Sequence, residues 1–195
     1  MEIHSLSDVL VDVLGDLYSA EQQLVDALPK LASTAHSYAL REAFETHLNE
    51  TRTHVERLDG AFADMGIRFA PSKTSRAMQG LLADGGDLVG ATGDSVAIDA
   101  ALIGVAQRVE HYEIAGYGTA RSLAGELGLD TTSSLLDQTL DEEGKANKLL
   151  IKLASGGLLS SGINRLAATR SEGDLATAEK PQIEEPAYAQ EPLQA

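Results

Sequence analysis

Four apolar stripes run through this chain at helical spacing, and a glutamate interrupts each of them near its middle: Glu21, Glu50, Glu113 and Glu143. The first stripe reads Leu6, Leu10, Val13, Leu17, Glu21, Leu24, Leu28. Its steps of three and four residues put every member on one face of a helix. A lone carboxylate there is ordinarily an edge residue that reaches solvent. One buried without a partner costs several kcal/mol. Four of them, one to a helix, point to helices that converge on a cation.

The stripes define the expected elements. The first helix should start at Ser5 or Ser7 and run to about Ala32, with Pro29 kinking or ending it. The second should span Tyr38 to Met65 and stop at Gly66. One of its columns reads Ala43, His47, Glu50, His54, Leu58, Ala61, Met65, and a second reads Phe44, Leu48, Thr51, Val55, Phe62. A short helix is expected over 73–83, followed by a glycine-rich crossover over 85–93. Those glycines follow no strand and have no lysine at phosphate-loop spacing, so they serve as a linker. The third long helix should begin at Asp94 or Ser95 and end near Leu127-Gly128, with Ile103, Ala106, Glu110, Glu113, Tyr117, Ala120, Ala124 and Leu127 in one column. Gly104, Gly116 and Gly118 inside it imply close helix approach. The fourth, after Asp130-Thr131-Thr132, should run to about Ala154 with Leu136, Leu140, Glu143, Asn147 and Leu150 in its column. Gly156-Gly157 breaks it, and residues 158–168 form a terminal helix or hook. Two helical hairpins joined by one long crossover make an all-α, ferritin-like four-helix bundle with extra short helices, over residues 1–168. From Thr169 to the end the chain is expected to be a disordered acidic tail.

Helix arithmetic tests whether the carboxylates can meet. Glu21 falls about 12 residues before its turn and Glu50 about 13 after the second helix begins, so an antiparallel hairpin sets them level. Glu113 and Glu143 match in the same way, and Glu110 falls level with Asn147. His47 and His54 lie one turn either side of Glu50, and Glu110 faces the same way as Glu113. Such an oxygen-rich set with one or two imidazoles suits two Fe²⁺ or Mn²⁺ ions better than zinc. His47 is an even candidate, whereas His54 is first a flanking residue or one that orients a ligand. Glu142 could replace Glu143 if the helix phase is one residue off. His111 points away. Tyr18 and Tyr117 lie close by, as core residues with satisfied hydroxyls.

Composition narrows the function. The formal net charge of −15 disfavours nucleic acid and anionic membrane surfaces as partners. With no cysteine, disulfides, thiolate metal sites and cysteine nucleophiles are excluded. No apolar run approaches the roughly 18 residues of a membrane span. The start, Met1-Glu2-Ile3-His4, carries no signal-peptide pattern, so the cytoplasm is the expected location. Aromatic residues make up only 4%, and no substrate pocket is evident, which weighs against an oxidase of organic molecules.

The stretches LYSAEQQLVDALPKLA (17–32), AFETHLNETRTHVERLD (43–59), AMQGLLADG (77–85), DAALIGVAQRVEHYEIAGYGTARSLAGELG (99–128) and LLDQTLDEEGKANKLLIKLA (135–154) carry a resemblance. In this order, over residues 5–165, the chain is similar to the YciE/YciF-type stress-protein family of the ferritin-like superfamily. The resemblance implies a homodimer, a di-iron site and a bacterial stress association. By position it implies Glu21, His47, Glu50, Glu110, Glu113 and Glu143 as metal ligands. The depth arithmetic selects Glu21, Glu50, Glu113 and Glu143 independently. The chain departs from the broader ferritin-like pattern, because no Glu-x-x-His occurs in it. Position 147 is Asn where the resembled family usually has an acid, and position 54 is His where Gln is common. The expected activity is oxidation of Fe²⁺ by oxygen or peroxide. The alternatives are a non-enzymatic helical dimer with a vestigial or structural site and an iron-storage shell.

Overall fold

Short polar side chains start most of the helices. In the computed structural model, which describes residues 3–68, 70, 72–157 and 160–175, Ser5 accepts from the Asp8 amide at the head of α1 (Leu6–Thr34). Ser37 accepts from the Leu40 amide at the head of α2 (Tyr38–Asp64). Ser75 caps α3 (Arg76–Gly86), and Asp94 accepts from the amides of Val96 and Ala97 to open α4 (Ser95–Glu126). Each cap satisfies amides that the first turn leaves without partners. The fifth helix, α5 (Asp130–Ser155), has no side-chain cap of its own. Asp64 at the end of α2 takes the Thr132 amide and hydroxyl at 3.2 and 2.8 Å instead. A two-residue ladder, β1 (Gly156–Gly157) with β2 (Ser160–Ser161), turns the chain into α6 (Ile163–Leu175).

The elements match the expected order, with three differences. Pro29 does not end α1, which continues to Thr34. The short helix takes in Gly85 and Gly86, so the crossover begins later, and its turns are made by Gly90 and Gly93 at positive φ. The last helix continues beyond Thr169 to Leu175. The rest of the expected acidic tail lies outside the described residues.

α1 pairs with α2 and α4 with α5; α2 also packs on α5 and α1 on α4, so the four long helices form a closed square. α3 lies over α1 and α4, and α6 over α4 and α5. Gly116 permits the α1–α4 approach, since a Cβ there would stand 2.7 Å from Cδ2 of Leu17. Gly104 and Gly118 have nothing within 4 Å of that position, so the expected close approach holds at one of the three glycines.

The apolar core is divided. One cluster gathers Leu24, Leu28, Leu31, Leu40, Phe44, Leu102 and Leu150. The other gathers Leu10, Leu14, Leu17, Leu58, Phe62, Ala120 and Leu136. On α1 the change of cluster comes between Leu17 and Ala20, beside Glu21. The glutamates therefore mark a polar layer between two dry halves of one bundle.

Candidate metal centre

Four helices each deliver acids or imidazoles to that layer. Glu21 comes from α1, His47 and His54 from α2, Glu110 and Glu113 from α4, and Glu143 from α5. None is more than 6% exposed. Two overlapping groups result. Ligand atoms of His47, Glu110, Glu113 and Glu143 lie within 4.8 Å of one another, and so do those of Glu21, His54 and Glu143. Glu143 belongs to both. His47 Nε2 is 3.6 Å from Glu110 and 3.8 Å from Glu143. His54 Nδ1 is 3.0 Å from Glu143 and 3.4 Å from Glu21.

The polar atoms here lack partners in a way that other buried acids do not. Asp99, 3% exposed, receives the backbone amides of His36 and Ser37 at 2.8 and 2.7 Å, and so fastens the α1–α2 turn to α4. By contrast both oxygens of Glu113, both of Glu143, one each of Glu21 and Glu110, both nitrogens of His47 and Nδ1 of His54 are buried without a hydrogen bond. Native interiors rarely leave such groups unsatisfied, and each one normally has a cause, such as a water or an ion. The donor chemistry, carboxylate oxygen with two imidazole nitrogens, fits Fe²⁺ or Mn²⁺. The charges fit as well. Glu21, Glu110, Glu113 and Glu143 carry four negative charges when ionised, which two divalent cations balance.

Without an ion the layer must hold protons. Burial, reinforced by Glu21, Glu143 and Glu110, pushes the Glu113 carboxyl well above its usual range. Burial pushes Glu110 up to about 8, with His47 opposing and Glu143 assisting. Glu21 is also raised by burial, against the pull of His54. Burial would raise Glu143 too, but the His54 and His47 rings outweigh it and hold that carboxyl low. Burial disfavours charge on both imidazoles, yet the facing carboxylates win and push His47 up to about 9 and His54 to about 10.

Glu50 is not brought into either group. It lies at the rim, with its side chain 38% exposed and Oε2 3.6 Å from His47 Nδ1. The reason is helical phase. Successive residues turn by about 100°, so Glu50 sits about 60° round from His47, whereas His54 is only about 20° away. The inward face of α2 carries His47, Thr51 and His54. His54, expected at the flank, is fully buried at the centre.

Neighbouring residues hold these side chains in place. His54 Nε2 meets Glu142 Oε2 at 3.0 Å, and Arg57 clamps both oxygens of Glu142 at 2.6 and 2.9 Å. Glu142 is thus a partner of His54, and Glu143 is the inward residue. Arg57 was not expected; its i+3 spacing from His54 was the available signal. The buried Tyr117 hydroxyl donates to Glu21. Tyr18 instead packs edge-on against Phe62. His111 is exposed, with Nδ1 2.6 Å from the Gln107 carbonyl. Asn147 Oδ1 is buried and unpartnered.

An all-α bundle of this connectivity, with acids from three of the long helices and imidazoles from the fourth meeting at mid-height, is of the ferritin-like class. A family model described as "Domain of unknown function (DUF892)" matches residues 5–164. The Escherichia coli (strain K12) protein YciF is 40% identical over 155 residues, covering 79% of this chain and 93% of its own length. The chain belongs to this family of YciF-type stress proteins. Solved structures agree. The E. coli stress protein YciF superposes with a TM-score of 0.75 at 39% identity, over 77% of this chain and 95% of its own. YcfI of Rhodopseudomonas palustris gives 0.74 at 40%, over 78% and 97%. A Xanthomonas campestris protein, 19% identical, shares the fold with a TM-score of 0.64 over 88% and 99%. No helix among the described residues is long and apolar enough to cross a membrane.

Proposed function

We propose that this chain is a di-iron carboxylate protein that oxidises Fe²⁺ with peroxide or oxygen, with Mn²⁺ as the alternative ion. In this reading it is a cytoplasmic homodimer serving a bacterial stress response. The observation that supports the metal reading is the pair of overlapping ligand groups joined at Glu143, most of whose buried polar atoms lack a hydrogen-bond partner. His47, Glu110 and Glu113 would hold one ion, Glu21 and His54 the other, and Glu143 would bridge them. Glu50, beside His47, is the remaining candidate ligand.

Held there, two Fe²⁺ ions would supply the two electrons that, with two protons, convert hydrogen peroxide to two waters. The chain's own contribution is orientation and exclusion of water. Tyr117 fixes one oxygen of Glu21, and Arg57 through Glu142 fixes the His54 ring. The two apolar clusters seal the layer above and below, which strengthens every electrostatic contact within it.

The test is the iron content of the full chain after anaerobic Fe²⁺ loading, beside a Glu21→Ala/Glu113→Ala variant of verified fold. About two ions per chain, lost in the variant, is the expected result. Absence of specific iron and manganese in the wild type would overturn the reading. The chain would then be a helical dimer acting through protein partners.

A further inference from the structure

An apolar cleft of about 110 Å³ opens between α2 and α5 and ends at the metal layer. Its mouth is framed by Ala43, Thr46 and Glu50 on one side and Lys145, Ala146 and Leu149 on the other. Its walls are Leu24, Leu28, Phe44, Val109 and Leu150. His47 and Glu110 close the inner end. Both nitrogens of His47 and one oxygen of Glu110 are buried there without a partner. An apolar pocket, not evident from composition, therefore adjoins the layer, lined mainly by aliphatic side chains.

We propose that this cleft admits a short-chain alkyl hydroperoxide as the oxidant of the site. This rests on the metal reading above. A cavity of about 150 Å³ accommodates benzene, so this one suits a tail of roughly four carbons. The tail lies on Leu24, Leu28 and Leu150, and the peroxide head reaches His47, Glu110 and the adjoining layer. The walls offer hydrogen peroxide nothing in exchange for its hydration, whereas each methylene buried strengthens binding about fourfold. In the overall conversion the O–O bond breaks, and two electrons and two protons turn ROOH into ROH and water. The electrons are those of two Fe²⁺ ions, each becoming Fe³⁺.

The test begins with tert-butanol, which mimics the product and needs no iron. It is titrated into the full chain with and without bound metal, following the methyl signals of Leu24, Leu28 and Leu150. Saturable shifts confined to these methyls are expected. Ala146→Phe and Ala43→Phe fill the mouth from opposite walls, and thermal melting verifies that each folds. Each should weaken tert-butanol binding about tenfold or more. In iron-loaded protein each should also lower the rate with tert-butyl hydroperoxide relative to hydrogen peroxide by about tenfold. Shifts that do not saturate, or that ignore both substitutions, would overturn the proposal. Equal loss with both peroxides would do so too, as would methyl shifts that follow protein concentration alone, since a second copy would then cover the mouth. Failure of iron binding with tert-butanol binding intact would remove the metal reading and keep the pocket. The reverse result would remove the pocket alone.

Discussion

His54 Nε2 stands 3.0 Å from a carboxylate oxygen of Glu142, while its other nitrogen faces Glu21 and Glu143 in the buried layer. The contact fixes the ring's orientation and, when Glu142 is ionised, places the proton on Nε2. Nδ1 is then free to bind a cation. Arg57 keeps Glu142 ionised, holding its carboxyl below the usual range. Partners of this kind tune metal sites without touching the ion. Glu142→Gln and Arg57→Ala should each lower metal affinity by about 10- to 100-fold while leaving the stoichiometry at saturation unchanged. Competition titration against a chelator measures both. Unchanged affinity in both variants would rule out an orienting role.

The metal-free chain should lose stability as pH rises from about 5 to 10. Glu110, at about 8, and Glu113, well above its usual value, hold protons in the folded state that the unfolded chain releases near 4.5. His47 and His54, at about 9 and 10, hold protons that the unfolded chain releases near 6.5. In every case the folded state binds more protons. Each stabilising contribution is therefore complete below the unfolded pKa and is lost as pH climbs through the folded one. Thermal melts should show the midpoint falling by roughly 5 °C or more between pH 6 and pH 9. Saturating Mn²⁺ should flatten that slope, because ions replace the protons. A metal-free chain with a flat profile would show that the layer is not protonated as described.

The glycines of α4 separate backbone cost from packing need. Gly104→Ala and Gly118→Ala meet open space and should each stabilise the chain by about 0.5–1 kcal/mol. Gly116→Ala drives a methyl against the buried Leu17 and should destabilise it by about 1–2 kcal/mol. Urea unfolding of the three variants distinguishes these signs.

The depth of the site was legible in the sequence because rise per residue is nearly constant, so distances from a turn convert directly into height. That placed Glu21, Glu113 and Glu143 in one layer. Phase on α2 was not legible to the same degree. Both of its columns carry apolar residues, and the face turned inward draws on each of them. Thr51 and His54 therefore enter, while Glu50 stays at the rim. A shift of a few tens of degrees decides this, and it depends on how α2 seats against α1 and α5. Asp99 escaped notice for a related reason. Its partners are backbone amides of a distant turn, and side-chain periodicity carries no trace of them.

Glu113 tests the tension between stability and function most directly. Both its oxygens are buried without partners, and Glu21, Glu143 and Glu110 all crowd it with negative charge. Glutamine has nearly the same shape, never ionises and can donate to those neighbouring carboxylates. In the metal-free chain Glu113→Gln should therefore raise the melting midpoint, and more at pH 9 than at pH 6, because the wild-type carboxyl is under growing pressure to ionise as pH rises. The same substitution removes one anionic ligand. Stabilisation by added Mn²⁺ or Fe²⁺ should shrink, and occupancy of the group containing His47 and Glu110 should fall. Melting curves at both pH values, with and without metal, read the two effects separately. A variant that is less stable than wild type at pH 9 without metal would mean that Glu113 has a structural partner, and that the layer is not held ready for cations.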